Sequence, residues 1–218
     1  RVEQEELGDL KLYRVQDRTT VASRQSKQVR MLDKAGVPVT RLYEADLYAN
    51  DDIDYAPMTV LLRTRNDTKN NLGVPLPSGR VSVFETAGRG AAARRLLAAE
   101  TGLRDIAVNE ETELRLSESP DVQIRQVTES REIAGPQRLA RPFLPGADRR
   151  WPLDETTRIE VTNARPFAIQ AEIRLQLDDG QSLAAADRPA AQKNGRPIFR
   201  VTIPSNGSLQ IRYQTTTR

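Results

Sequence analysis

From Ile169 to Leu177 the chain alternates without interruption. Ile169, Ala171, Ile173, Leu175 and Leu177 are separated by Gln170, Glu172, Arg174 and Gln176. A helix turns by about 100° per residue and would scatter the five apolar side chains around its circumference, whereas a strand sets them all on one face. Asp178-Asp179-Gly180 then gives a hairpin-like turn. The same period of two recurs in Thr112, Leu114 and Leu116, which alternate with Glu111, Glu113 and Arg115. It recurs again in Phe199, Val201 and Ile203, and in Leu209, Ile211 and Tyr213 after the turn Pro204-Ser205-Asn206-Gly207. Short alternating strands with turn signals between them predict an all-β protein of sandwich type.

The 218 residues are enough for two modest domains. From Ser130 to Glu155 the order dissolves into a polar stretch punctuated by Gly135-Pro136, Arg141-Pro142, Pro145-Gly146 and Trp151-Pro152. A connection that long marks a boundary or a functional excursion. The expected division is an N-terminal β-sandwich over 1–129, a Pro/Gly-rich connection over 130–151 and an immunoglobulin-like β unit over 152–218. In the first unit, Leu10–Val15, Thr19–Val21, Ser26–Leu32, Val37–Tyr48 and the run ending at Leu62 read as strands. The C-terminal unit is shorter than the roughly 100 residues of a complete immunoglobulin-type sandwich. It is therefore expected to take a strand from elsewhere, with Leu10–Val15 a candidate.

Gly88 to Gly102 is ambiguous. Its alanines, leucines and arginines favour a helix with Gly102 as the stop, but about eleven residues are marginal for a helix, and pairing with a neighbouring strand overrides so weak a preference.

Two zeros in the composition restrict the chemistry. Without cysteine there is neither a disulfide framework nor a thiol nucleophile. Without histidine the commonest general base near neutral pH, the usual zinc ligand and the middle member of a Ser-His-Asp triad are missing. No cofactor is expected. Lysine plus arginine number 33 against 30 acids, and the signs alternate along the chain. That describes a solvated surface with no clear footprint for nucleic acid or anionic lipid. No apolar run approaches the roughly 20 residues of a membrane span, so no membrane insertion is expected. The charged opening Arg1-Val2-Glu3-Gln4-Glu5-Glu6 reads as a fragment or a processed product.

Candidate functional residues fall on loops. Asn66, Asp67, Asn70 and Asn71 make a polar turn leaving an apolar strand. Pro75 and Pro77 stiffen the segment after that turn, and Gly79-Arg80-Val81 opens the next strand. Read structurally this is a rigid connection; read functionally it is a binding loop on a β scaffold, with Asn66, Asp67, Asn70, Asn71 and Arg80 as its contacts. Asp51, Asp52 and Asp54 are the oxygens a hard cation would seek, although the glycine and closing glutamate of an EF-hand loop are absent. Trp151, the only tryptophan, is a core anchor or a platform for a sugar or peptide, and Tyr43, Tyr48 and Tyr55 are further stacking candidates. Carboxylate catalysis would draw on Asp51, Asp52, Asp54 or Asp178-Asp179.

Several segments carry a resemblance: Tyr13-Arg14-Val15, Gln25 to Leu32, the run Asn71-Leu72-Gly73-Val74-Pro75-Leu76-Pro77-Ser78-Gly79-Arg80-Val81, and Phe199 to Gly207 before the strand holding Tyr213. Over nearly its whole length the chain resembles the bacterial domain-of-unknown-function family that forms the C-terminal region of mucoidy-inhibitor-A-like proteins. The proline-rich run is its most specific part. Ser117 stands where the family tends to have glycine, and Ala98-Ala99-Glu100 is alanine-rich where the family reads as strand and turn. That comparison favours a strand through Arg94 to Ala99. The resemblance implies an exported protein, periplasmic or associated with the cell envelope, and no catalytic residue. The expected function is a non-enzymatic structural or interaction module whose partner is an envelope protein or glycan. A glycan- or cell-wall-binding module is the alternative, and a carboxylate-dependent hydrolase the second alternative.

Overall fold

The computed structural model describes residues 2–7, 10–15, 20–26, 28, 30–88, 90–133 and 153–217. The described residues are mainly strand. In chain order these are β1 (Val2–Leu7), β2 (Leu10–Val15), β3 (Thr40–Tyr48), β4 (Ile53–Arg65), β5 (Gly79–Ala87), β6 (Arg94–Leu103) and β7 (Glu111–Ile133). They continue with β8 (Leu153–Asn163), β9 (Ile169–Gln176), β10 (Gln181–Ala186), β11 (Ala190–Lys193), β12 (Arg196–Ile203) and β13 (Gly207–Thr217). Among the described residues the only helical pieces are single 3-10 turns at Thr68–Asn70 and Gly90–Ala92. No helix among the described residues is long and apolar enough to cross a membrane.

Nine strands form one sheet in the order β10-β13-β8-β7-β4-β3-β9-β12-β11. Every neighbouring pair is antiparallel except β3 and β9, which run parallel with Tyr43 beside Ala171 and Leu47 beside Leu175. The strand of 23 residues, β7, pairs with β4 along one edge and with β8 along the other. Pro120 lies within it, and the β4–β7 register shifts between Pro57 and Met58, close to where the proline removes a ladder donor.

The sheet curls onto itself. β13 stands second in the sheet order and β12 eighth, yet the rings of Phe199 on β12 and Tyr213 on β13 lie 6.2 Å apart. Between the layers sits one apolar core, holding Tyr43, Met58 and Val122 together with Ile159, Ile173 and Ile211. The period-two residues of the sequence supply it: Ile169, Ala171, Ile173 and Leu175 are all buried. One end of the core is polar. There Tyr213 donates from its hydroxyl to the Ala49 carbonyl, and the Gln126 amide donates to the carbonyls of Tyr48 and Asp51, tying down the β3–β4 turn.

The expectation of an all-β chain is met, but the division at 129 and 152 does not separate two sheets. β7 pairs with β8, β3 pairs with β9, and Ser130–Ile133 continue β7 instead of opening a connection. The strand at Leu10–Val15 does not complete the C-terminal strands; it pairs with β1, and β7 and β3 flank them instead. The described residues between 20 and 39 contain no strand, so the strand expected at Ser26–Leu32 does not form at its described positions, with Lys27 and Val29 outside the described residues. Met31 and Leu32 are exposed and find no strand to pair with, which leaves β propensity without its packing partner. Arg94–Leu103 is a strand, as the resemblance implied, because it pairs with β5 from Gly79↔Leu103 to Ala87↔Arg94.

Candidate functional site

The polar loop after β4 uses its side chains on itself. Asn66 is fully buried; its amide donates to the carbonyls of Val74 at 2.8 Å and Ala107 at 3.0 Å, and its side-chain oxygen accepts from the Gly73 N–H at 3.1 Å. Its backbone pairs with Glu110 and Asn109. Asp67 caps the 3-10 turn by accepting from the Asn70 N–H at 2.8 Å, and the Asn70 amide donates to the Arg65 carbonyl. Asn71 adopts the left-handed conformation and donates to the Gly36 carbonyl at 2.8 Å. Asn66, Asp67, Asn70 and Asn71 therefore build the loop. Arg80 differs: it lies exposed on β5 and lines an open depression with Glu100 and Gly102. Trp151 lies outside the described residues.

The acidic loop is likewise committed. Asp52 accepts the Thr128 N–H at 2.6 Å, and this backbone hydrogen bond holds its carboxyl below the usual range. Asp54 lies 3.6 Å from the Arg125 guanidinium, and Asp51 uses its carbonyl to accept from Gln126. Among the described residues no group of three acids stands close enough to hold a metal ion. Asp178 and Asp179 sit at the turn after β9, with Asp178 accepting from the Asn50 amide at 2.7 Å. Tyr43 is in the core; Tyr48 and Tyr55 are exposed.

Among the described residues, a dense cluster of charged groups is one the sequence presents as ordinary outward-facing charge. Glu172 and Arg174 alternate with the core residues of β9 and so lie on the opposite face of the sheet. In register, Glu172 stands beside Glu44 of β3 and Arg200 of β12, and Arg63 of β4 stands beside Glu113 of β7. Arg63 reaches Glu113 at 2.6 Å and Glu172 at 3.0 Å. Arg174 reaches Glu172 at 2.7 Å and Glu113 at 3.2 Å, and also contacts Glu44. Lys193 of β11 lies 2.6 Å from Glu113, Arg200 lies 3.2 Å from Glu172 and Arg115 lies 2.7 Å from Glu44. Glu44 and Glu172 are each only 1% exposed.

Three glutamates in one network respond differently. Burial acts to raise the carboxyls of Glu113 and Glu172, but hydrogen bonds from Lys193, Arg63 and Arg174 to the first, and from Arg63, Arg174 and Arg200 to the second, outweigh it. Both are carried down to about 2. At Glu44 burial prevails over Arg174 and Arg115, and the carboxyl is raised. Opposed shifts in neighbouring acids are one pattern from which acid–base pairs are made, and ion-pair networks of purely structural use produce it too. Here Arg174 contacts both members. Glu113 and Glu172 stay ionised near neutral pH, and the network binds β3, β4, β7, β9, β11 and β12 together across the face. On one side it meets a cavity of about 610 Å³ lined in part by Arg104, Glu110, Glu111, Arg115 and Lys193.

Outside the large sheet, β5 and β6 pair, among the described residues, only with each other. Val81, Val83, Ala99 and Thr101 share one face of this ribbon, and Glu85 on that face pairs with Arg41 of β3. Ser82, Phe84, Leu97 and Glu100 share the other face and are exposed. Phe84 is 47% exposed, and Leu96 and Leu97 each 54%. The Arg95 guanidinium lies 4.7 Å from the centre of the Phe84 ring. Comparison with family models, curated proteins and solved structures finds no match to the chain.

Proposed function

We propose that the chain is a non-enzymatic interaction module of an exported, envelope-associated bacterial protein, with the β5–β6 ribbon as its contact surface. The observation that carries this reading is the exposure of Phe84, Leu96 and Leu97 on a ribbon that no third strand completes among the described residues. Large apolar side chains left in water on one small element are what interaction sites use, and a two-stranded ribbon has free edges on both sides. The buried acids support the same reading, since those of lowest pKa are already neutralised by arginine and lysine. The envelope setting rests on the resemblance carried by Asn71–Val81.

Glycan binding is the second reading, favoured by the exposed rings of Tyr48 and Tyr55, the latter with the Arg125 guanidinium 5.5 Å from its centre. The test is retention of the purified full chain on isolated bacterial envelopes, beside a variant carrying Phe84→Ser, Leu96→Ser and Leu97→Ser, with a hydrolase screen run in parallel. Retention lost in the ribbon variant is expected. Retention lost instead on replacing Tyr48 and Tyr55 favours the glycan reading, and turnover abolished by Glu44→Gln overturns the non-enzymatic one.

A further inference from the structure

The formal net charge of +3 is not spread evenly. Residues 86–99 read Thr-Ala-Gly-Arg-Gly-Ala-Ala-Ala-Arg-Arg-Leu-Leu-Ala-Ala, with three arginines and no acid, so this stretch alone carries a charge equal to that of the whole chain. The alternation of signs elsewhere conceals it in any average. β5 ends at Ala87 and β6 begins at Arg94, so Arg94 and Arg95 lie at one end of the ribbon, while Arg89 lies outside the described residues. Cross-strand partners share a face. Phe84, Leu97 and Arg95 thus stand on one face of the ribbon end, and Leu96 and Arg94 on the other. Among the described residues neither Arg94 nor Arg95 forms an ion pair, and Glu85, the nearest acid in register, is taken by Arg41.

Apolar exposure on both faces discriminates between occupants. A protein groove or an added strand would cover one face or one edge and leave Leu96 or the Phe84–Leu97 pair in water. A lipid interface surrounds whatever enters it. We propose that the end of the β5–β6 ribbon docks on a bilayer surface bearing anionic headgroups, Arg94 and Arg95 meeting the phosphates while Phe84, Leu96 and Leu97 enter the interface. This rests on the reading of the ribbon as a contact surface and gives that surface a partner class. It is peripheral docking by side chains.

The experiment is cosedimentation of the full chain with vesicles of phosphatidylcholine alone and of phosphatidylcholine mixed with phosphatidylglycerol. Binding to the mixed vesicles is expected, weakening with added salt and falling roughly fivefold for each arginine removed, hence about twenty-fivefold for Arg94→Ser with Arg95→Ser. Arg94→Lys with Arg95→Lys keeps the charge and the binding. Phe84→Ser with Leu97→Ser weakens binding without shifting the melting temperature. Wild-type protein left in the supernatant with both vesicles, equal binding to both, or no effect of the arginine pair overturns the proposal. So does tighter binding to duplex DNA or polyglutamate at the same ionic strength. Envelope retention that persists when vesicle binding is absent overturns the lipid partner and leaves the ribbon's role standing; loss of both removes the two together.

Discussion

Glu172→Gln is the sharpest test of the buried charge network. The substitution keeps the side chain's shape but removes the charge that Arg63 at 3.0 Å, Arg174 at 2.7 Å and Arg200 at 3.2 Å all share. In the fold the Glu172 carboxyl moves from an ordinary 4.5 to about 2. At about 1.4 kcal/mol for each tenfold change in proton affinity, the ionised form is favoured by roughly 3 kcal/mol. Removing one partner of a buried pair costs about 3–5 kcal/mol, so the two routes agree. The pH dependence is set by the sign of the shift. A carboxyl whose folded pKa lies below its unfolded one stabilises the fold above the unfolded value, and this stabilisation fades as pH falls toward the folded value. The deficit of Glu172→Gln is therefore full at pH 7 and shrinks between about 4.5 and 2. Urea denaturation followed by far-UV circular dichroism at neutral and acid pH measures it, with the midpoint shifting at constant slope. A deficit below about 0.5 kcal/mol at pH 7 would place the network among solvated surface pairs and refute the reasoning.

The same geometry sets three other outcomes. Glu44→Gln is expected to leave stability at pH 7 unchanged or raised, since burial lifts this carboxyl and its charged form burdens the fold at neutral pH; a melting temperature that drops as far as in Glu172→Gln contradicts this. Asn66→Ala strands the carbonyls of Val74 and Ala107 and the Gly73 N–H, and should cost about 1–3 kcal/mol, with amide exchange accelerating first in residues 66–76. Gly73→Ala should cost about 1–3 kcal/mol because φ is +75° and the new Cβ would lie 2.5 Å from the Thr68 methyl; Thr68→Ser should restore part of the loss in thermal melts.

Much of the fold was legible where the signal is local. The alternation at 169–177 identified β9 and its inward residues because a strand's period needs no knowledge of its neighbours. The same alternation misled on the other face. Glu172 and Arg174 looked solvated, whereas Glu172 is buried by Arg63, 109 residues away in the chain, and Arg63 bonds Glu113 fifty residues from itself. Nothing local encodes the parallel pairing of β3 with β9 that brings Glu44 to Glu172. Asn66 was legible as a turn residue but not as a buried staple, since the Ala107 carbonyl it holds lies 41 residues on. At Arg94–Leu103 helix propensity yielded to pairing with β5, and the exposed leucines that resulted were hidden in a segment of helical composition. The all-β class survived these misreadings because many strands vote for it, whereas the site depends on a few distant pairings.

The most direct measurement puts two variants through one envelope-retention assay, with folded fraction measured alongside: Glu172→Gln, and the triple Phe84→Ser, Leu96→Ser, Leu97→Ser. The triple variant is expected to melt like the wild type and no longer be retained, while Glu172→Gln melts earlier and whatever stays folded is retained in full. A ribbon variant that still binds, or a folded Glu172→Gln protein that does not, would contradict the assignment of contact to the ribbon and of stability to the buried charges.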